Sequence, residues 1–146
     1  MRWRHRGKAG FFSAAEDGVV AVEFVILFPL FMLIILGIVE FGHLFYMRHT
    51  LTNASREGAR AAVVYTTGDR KTFAETTAKA AVAKYLTDTK FMGTVPPATV
   101  VAGTKTGDLV TVTVSSNNGL LLLDKIVPAI GDKVKTVSAE TSMRME

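Results

Sequence analysis

A single carboxylate at the head of a membrane-length apolar run constrains this chain more than any other feature. Gly18-Val-Val-Ala-Val is followed by Glu23 and Phe24, and from Phe24 to Val39 no residue carries a charge. At about 1.5 Å of rise per residue, Val19 to Val39 makes roughly 30 Å of helix, one hydrocarbon thickness. An ionisable group within such a run is costly and needs a partner or a use. The plain account of Glu23 is a residue marking the interfacial end of a span. The sharper account is a handle for another group, placed where a lone charge is most conspicuous.

The flanks decide what kind of apolar segment this is. Arg2, Arg4, Arg6 and Lys8 crowd the first eight residues of a chain whose net charge is +4. That placement suits a cytoplasmic anchor better than a nucleic-acid face. A secretory signal has a shorter core and a small-residue cleavage site after it. Here the run is followed by Glu40-Phe-Gly-His-Leu-Phe-Tyr-Met-Arg48, which is bulky and aromatic, so the segment is expected to stay as a span. By the positive-inside rule the N-terminus is expected in the cytoplasm and the rest of the chain outside. Pro29 removes one helical hydrogen bond and is expected to bend the helix.

Beyond the run the chain reads as α+β. Phe41, Leu44, Phe45 and Leu51 continue a helical spacing. Ala54, Gly58 and Ala62 then recur at four-residue steps with Ala61 beside them, a small-residue stripe that lets another element approach closely. Packing onto the chain's own outer domain and contact with a neighbouring subunit are both compatible with it. Thr66-Thr-Gly68-Asp69 ends the helix. Thr72 with Glu75 reads as a capping box opening a second helix to about Leu86, with Ala74, Ala78, Ala81, Val82 and Tyr85 on its buried side. After a turn region at Gly93 to Pro97, Ala98 to Ala102 is a strand candidate, and Gly103 to Asp108 reads as a hairpin turn. Leu109 to Ser115 alternates, with Val110, Val112 and Val114 on one face. A second alternation sets Val137, Ala139, Thr141, Met143 and Met145 against Ser138, Glu140, Ser142 and Arg144. The expectation is a small antiparallel sheet of about three strands packed on helix. Leu120 to Pro128 is too short to span and too apolar for a freely solvated loop; it can fill the core, dip into the interface or meet a partner.

Gly18-Val-Val-Ala-Val-Glu23-Phe24, Pro29, Gly37-Ile-Val-Glu40-Phe41-Gly42, Phe45-Tyr46 and Leu51-Thr-Asn-Ala-Ser-Arg-Glu-Gly-Ala-Arg60 together resemble the TadE-like family of minor pilins, or pseudopilins, of tight-adherence (Flp-type) pilus systems. The likeness covers about residues 16 to 64, with a looser one at Ala139 to Glu146. It implies a prepilin whose leader, residues 1–18, is removed by a membrane aspartyl peptidase cutting between Gly18 and Val19. Glu23 and Phe24 would then be the fifth and sixth residues of the mature chain. Residues 19–65 would form the transmembrane and spine helix and 66–146 a small extracytoplasmic domain. The resemblance also implies a bacterial inner-membrane protein that supports assembly of a pilus used in adhesion and biofilm formation. Its partners would be the peptidase, other pilins, assembly-platform proteins and membrane lipid. The chemistry fits: Gly18 leaves the backbone unhindered, and the cut creates an α-amino group that the Glu23 carboxylate, about one turn along, can neutralise on its own chain or the next.

Other chemistry is sparse. The chain has no cysteine, so disulfides, thiolate metal sites and cysteine nucleophiles are excluded. Glu40 and His43 lie one turn apart but are too few for a metal site, and they read as headgroup-level helix residues. Arg56, Glu57 and Arg60 form a charged cluster beside the membrane, read either as a Glu57–Arg60 ion pair worth tenths of a kcal/mol or as a contact to anionic headgroups. Asp108, Asp124 and Asp132 adjoin turn residues and have no partner histidine. No phosphate loop, triad or paired-carboxylate site is visible. The expectation is therefore no enzyme, no cofactor, no small-molecule substrate and no nucleic acid. Two alternatives remain: a single-pass membrane protein with a ligand- or regulator-binding outer domain, and a type II secretion pseudopilin, which shares Gly18 and Glu23 but not Arg56 to Arg60.

Overall fold

The computed structural model describes residues 13–64, 66, 68–92, 94–117, 120–122, 125 and 136–145. The expected leader lies outside the described residues as far as position 12. Among those described are two helices, α1 (Ser13–Ala62) and α2 (Arg70–Asp88), and three strands, β1 (Ala98–Ala102), β2 (Leu109–Ser116) and β3 (Val137–Arg144). The fold class is α+β. The chain divides into two compact units, Met1–Val39 and Glu40–Glu146.

The described part of the first unit is helix. Its Val- and Ile-rich sequence is a mediocre helix former in water. In an apolar medium, however, a helix is the one single-segment solution that satisfies every backbone group. The side chains from Val19 to Val39 are exposed or half-exposed, and α1 is long and apolar enough to cross a membrane. Pro29 lies inside α1 without ending it. Phe24 and Phe28 stack one turn apart, with ring centroids 5.4 Å from each other.

The second unit holds the core. The C-terminal part of α1 contributes Met47, Leu51, Ala54, Ala59 and Ala62, and α2 contributes Ala74, Ala78, Val82 and Leu86. These residues form one core cluster with Val110, Val112 and Val114 of β2 and with Ala139. The sheet is antiparallel in the order β1-β2-β3, with Val100 opposite Val112 and Val112 opposite Thr141. Period-two alternation thus buries one face. On the other face Thr111 and Ser142 hydroxyls bond across the strands at 2.8 Å, and the Thr113 hydroxyl donates to Glu140 at 3.4 Å. Ser55 of α1 meets Thr141 of β3 hydroxyl to hydroxyl at 2.8 Å.

The start of α2 differs from the Thr72–Glu75 capping box. The N-cap is Asp69, whose carboxylate accepts from the Lys71 amide at 3.3 Å and from the Thr72 hydroxyl. Thr72 therefore serves as the third residue of the first turn and not as the cap. An aspartate that reaches the free amides three positions earlier satisfies them with a charged acceptor. The Thr72 hydroxyl bond holds the Asp69 carboxyl below the usual carboxylate range, against a smaller opposing effect of desolvation. Leu86 joins Ala74, Ala78 and Val82 as fully buried, Tyr85 packs half-buried against the core and Ala81 is half-buried, and the helix runs on to Asp88.

The hairpin turn between β1 and β2 is organised by Asp108. Its Oδ2 accepts from the Thr104 and Lys105 amides, each at 2.9 Å. Gly103 has no room for a Cβ, which would fall 2.2 Å from the Asp108 Cβ, and Gly107 adopts φ +91°. Amide donation, first from Lys105 and then from Thr104, holds the Asp108 carboxyl below its ordinary value. A carboxyl depressed in the folded state stabilises above its unfolded value and loses that contribution as pH falls through the folded value. We expect hydrogen-exchange protection of the Thr104 and Lys105 amides to fall selectively as pH drops below about 4. Asp108→Ala should lose the same protection at neutral pH. Equal protection in the variant at pH 7 would refute this role.

Candidate functional site

Gly18 to Phe24 lies wholly within α1. Nothing approaches within 4 Å of the position a Gly18 Cβ would take, so the backbone there is open. Glycine costs about 1 kcal/mol relative to alanine inside a helix, which makes Gly18 the residue where this stretch unwinds most cheaply. A peptidase binding extended backbone benefits from that. Val19, Val20, Val22 and Phe24 are all exposed. Glu23 is exposed among them and has no hydrogen bond or ion pair among the described residues. A carboxylate on an otherwise apolar helical surface is costly unless it is paired.

Glu40 behaves differently, and the headgroup-level reading of Glu40 and His43 is corrected. Glu40 is 1% exposed and accepts from the Leu121 amide at 2.9 Å through Oε2 and from the Leu122 amide through Oε1. His43 is 8% exposed, and its Nε2 is buried without a hydrogen-bond partner among the described residues. Both side chains turn into the Glu40–Glu146 unit and not toward headgroups. The Glu40 carboxylate pins the start of the Leu120–Pro128 segment; Leu123, Asp124 and residues 126–128 of that segment lie outside the described residues, as does Asp132. No group of three or more metal-ligating side chains occurs among the described residues.

The small-residue stripe sits in the core of the second unit. Ala54, Gly58 and Ala62 are buried and Ala61 is half-buried. A Cβ on Gly58 would lie 2.6 Å from Val82 Cγ2 and 3.3 Å from both the Ala78 carbonyl oxygen and Val112 Cγ1. The missing side chain therefore lets α1, α2 and β2 meet at one point. Arg56, Glu57 and Arg60 are exposed, and Glu57 and Arg60 form no ion pair. Along the outward side of α1, Phe45, Arg48, His49, Thr52, Asn53 and Arg56 line an open groove of about 240 Å³.

Comparison with known proteins bears on this same stretch of α1. Residues 18–60 match the family model described as TadE-like protein. Over those residues the chain is similar to TadE-like proteins. The match begins at Gly18 and ends at Arg60, so it takes in Glu23, the buried Glu40, Gly58 and the Phe45–Arg56 groove, but neither α2 nor the sheet. No curated protein and no solved structure matches the chain.

Proposed function

We propose that the TadE-like chain is a minor pilin-like protein that supports assembly of a tight-adherence pilus after a prepilin peptidase cuts it between Gly18 and Val19. The observation that carries this reading is Glu23, exposed and, among the described residues, unpartnered on the apolar surface of α1, one turn from the α-amino group that the cut would create. The TadE-like match beginning at Gly18 supports it. In this reading α1 anchors the chain in the inner membrane with the leader in the cytoplasm, and the Glu40–Glu146 unit lies outside. Glu23 neutralises the new amine of its own chain or of an adjacent pilin, and the assembly platform and other pilins are the partners.

N-terminal sequencing and intact mass of the protein from cells with an active pilus system test the proposal. The expected mature chain starts at Val19. Gly18→Arg should accumulate in the membrane at full length, because a large cation blocks the backbone the peptidase must grip. Glu23→Ala and Glu23→Gln should insert and be cut, yet lose cross-linking to other pilins, since neither retains a charge to pair with an amine. Wild-type protein that keeps its leader in such cells contradicts the processing step. Normal piliation by both Glu23 variants removes the assembly role.

A further inference from the structure

The fold moves the polar boundary of α1 well beyond the point that the sequence marks. Read as a string, the apolar run ends at Glu40, with His43 soon after. In the structure both of those groups are buried inside the Glu40–Glu146 unit. What the outward side presents instead is Phe41, 74% exposed, and Phe45, 73% exposed, with Tyr46 beside them. Beyond Glu23, the next charged side chain exposed on α1 is therefore Arg48. It opens the groove with His49, Thr52, Asn53 and Arg56. Among the described residues no acidic side chain lines that groove. Neither guanidinium group makes a hydrogen bond or an ion pair among the described residues, although the Arg48 carbonyl accepts from the Thr52 hydroxyl at 2.7 Å.

This order along one helix face is apolar, then aromatic, then cationic. It matches a lipid read from chain to headgroup. Aromatic rings favour the level just below the headgroups, and arginine binds a phosphodiester bidentately. Exposed Phe41 and Phe45 have no use for a soluble anion, and the two free guanidinium groups have none for a neutral lipid. We propose that the Phe41–Arg56 face of α1 binds an anionic phospholipid, with Phe41 and Phe45 against its glycerol and upper chains and Arg48 and Arg56 on its phosphodiester. The inference rests on α1 spanning a membrane, as the proposed function has it.

The test uses the full chain reconstituted in phosphatidylcholine vesicles, with spin-labelled phosphatidylglycerol and spin-labelled phosphatidylcholine as probes. The wild type should select phosphatidylglycerol. Neutralising two cations near an anionic surface should cut that selectivity about tenfold or more in Arg48→Gln/Arg56→Gln, with phosphatidylcholine association unchanged. Arg48→Lys/Arg56→Lys should keep most of it. Both arginines are exposed, so unfolding is not expected, and unchanged circular dichroism checks this. Equal association of both lipids with the wild type overturns the proposal. So does selectivity that survives the double Gln variant, which would direct the groove to a protein partner. Displacement by millimolar inorganic phosphate as effective as by lipid would identify a soluble-anion site instead. Failure of the wild type to enter vesicles would overturn both this site and the membrane reading, whereas entry without selectivity would overturn this site alone.

Discussion

Replacing Gly58 by leucine lowers the stability of the Glu40–Glu146 unit by about 3 kcal/mol or more, the upper range for overpacking a filled core. The argument turns on what surrounds the position. An added Cβ alone falls 2.6 Å from Val82 Cγ2, and behind it stand the Ala78 carbonyl oxygen and Val112 Cγ1, both at 3.3 Å. Val82 is itself buried in the core and has nowhere to swing. Backbone of α2 and side chain of β2 close the other sides, so relief requires α1 and α2 to separate. Gly58→Ala sharpens the test. In an unobstructed helix that change gains about 1 kcal/mol from propensity. Here it should be destabilising, while Gly42→Ala, also in α1 but with nothing within 4 Å of its Cβ, should be neutral or stabilising. Urea unfolding of the detergent-solubilised chain measures all three. A Gly58→Ala protein as stable as the wild type would show that the three elements do not meet there.

Removing the Glu40 carboxylate is the second large effect. It accepts from two backbone amides, Leu121 and Leu122, while itself 1% exposed. Hydrogen bonds to a charged group contribute about 1.5–3 kcal/mol each, and loss of the acceptor strands both donors. Glu40→Ala should therefore cost about 3 kcal/mol locally. The cost should appear as lost exchange protection at Leu121 and Leu122 and faster proteolysis around them, more than as unfolding of the sheet. Glu40→Gln keeps one acceptor oxygen and should fall between. A residue that merely marked the headgroup level would give neither result, so unchanged protection in Glu40→Ala would return Glu40 to that role.

The contrast between Glu40 and the strands explains what the sequence could reveal. Period two in Leu109–Ser116 and Val137–Arg144 is visible because each strand buries one face only. The alternation of valines with threonines, and of alanine and methionine with serine and arginine, is the burial pattern itself. The long helix is visible because its apolar run is unbroken and long enough to cross a membrane. Glu40 is illegible because its partners are backbone amides 81 and 82 residues away, and an amide donor has no identity in a sequence. Phe41 and Phe45 were grouped with Leu51, yet they point outward while Leu51 is buried. Near a membrane both sides of a helix are apolar, so periodicity loses its ability to distinguish core from exterior. At α2, Thr72–Glu75 was the more familiar pattern, but Asp69 reached the same free amides first. Of the candidate site, Gly18 and Glu23 needed only their positions to be noticed. The Arg48–Arg56 groove needed Glu40 and His43 to be folded away before it became the first exposed charge beyond Glu23.

The sheet order β1-β2-β3 has a consequence for chains crowded side by side. Two strands, β1 and β3, are left as edges among the described residues, and an open edge invites pairing with a neighbour's backbone. Pro96 and Pro97 stand immediately before β1, so that edge cannot lengthen into a template because neither proline can donate an amide. β3 carries Glu140 and Arg144 on its exposed face, charges that make indiscriminate stacking costly. The Glu40–Glu146 unit can therefore reach high local density without its sheets fusing, which leaves association to whichever surfaces are built for it.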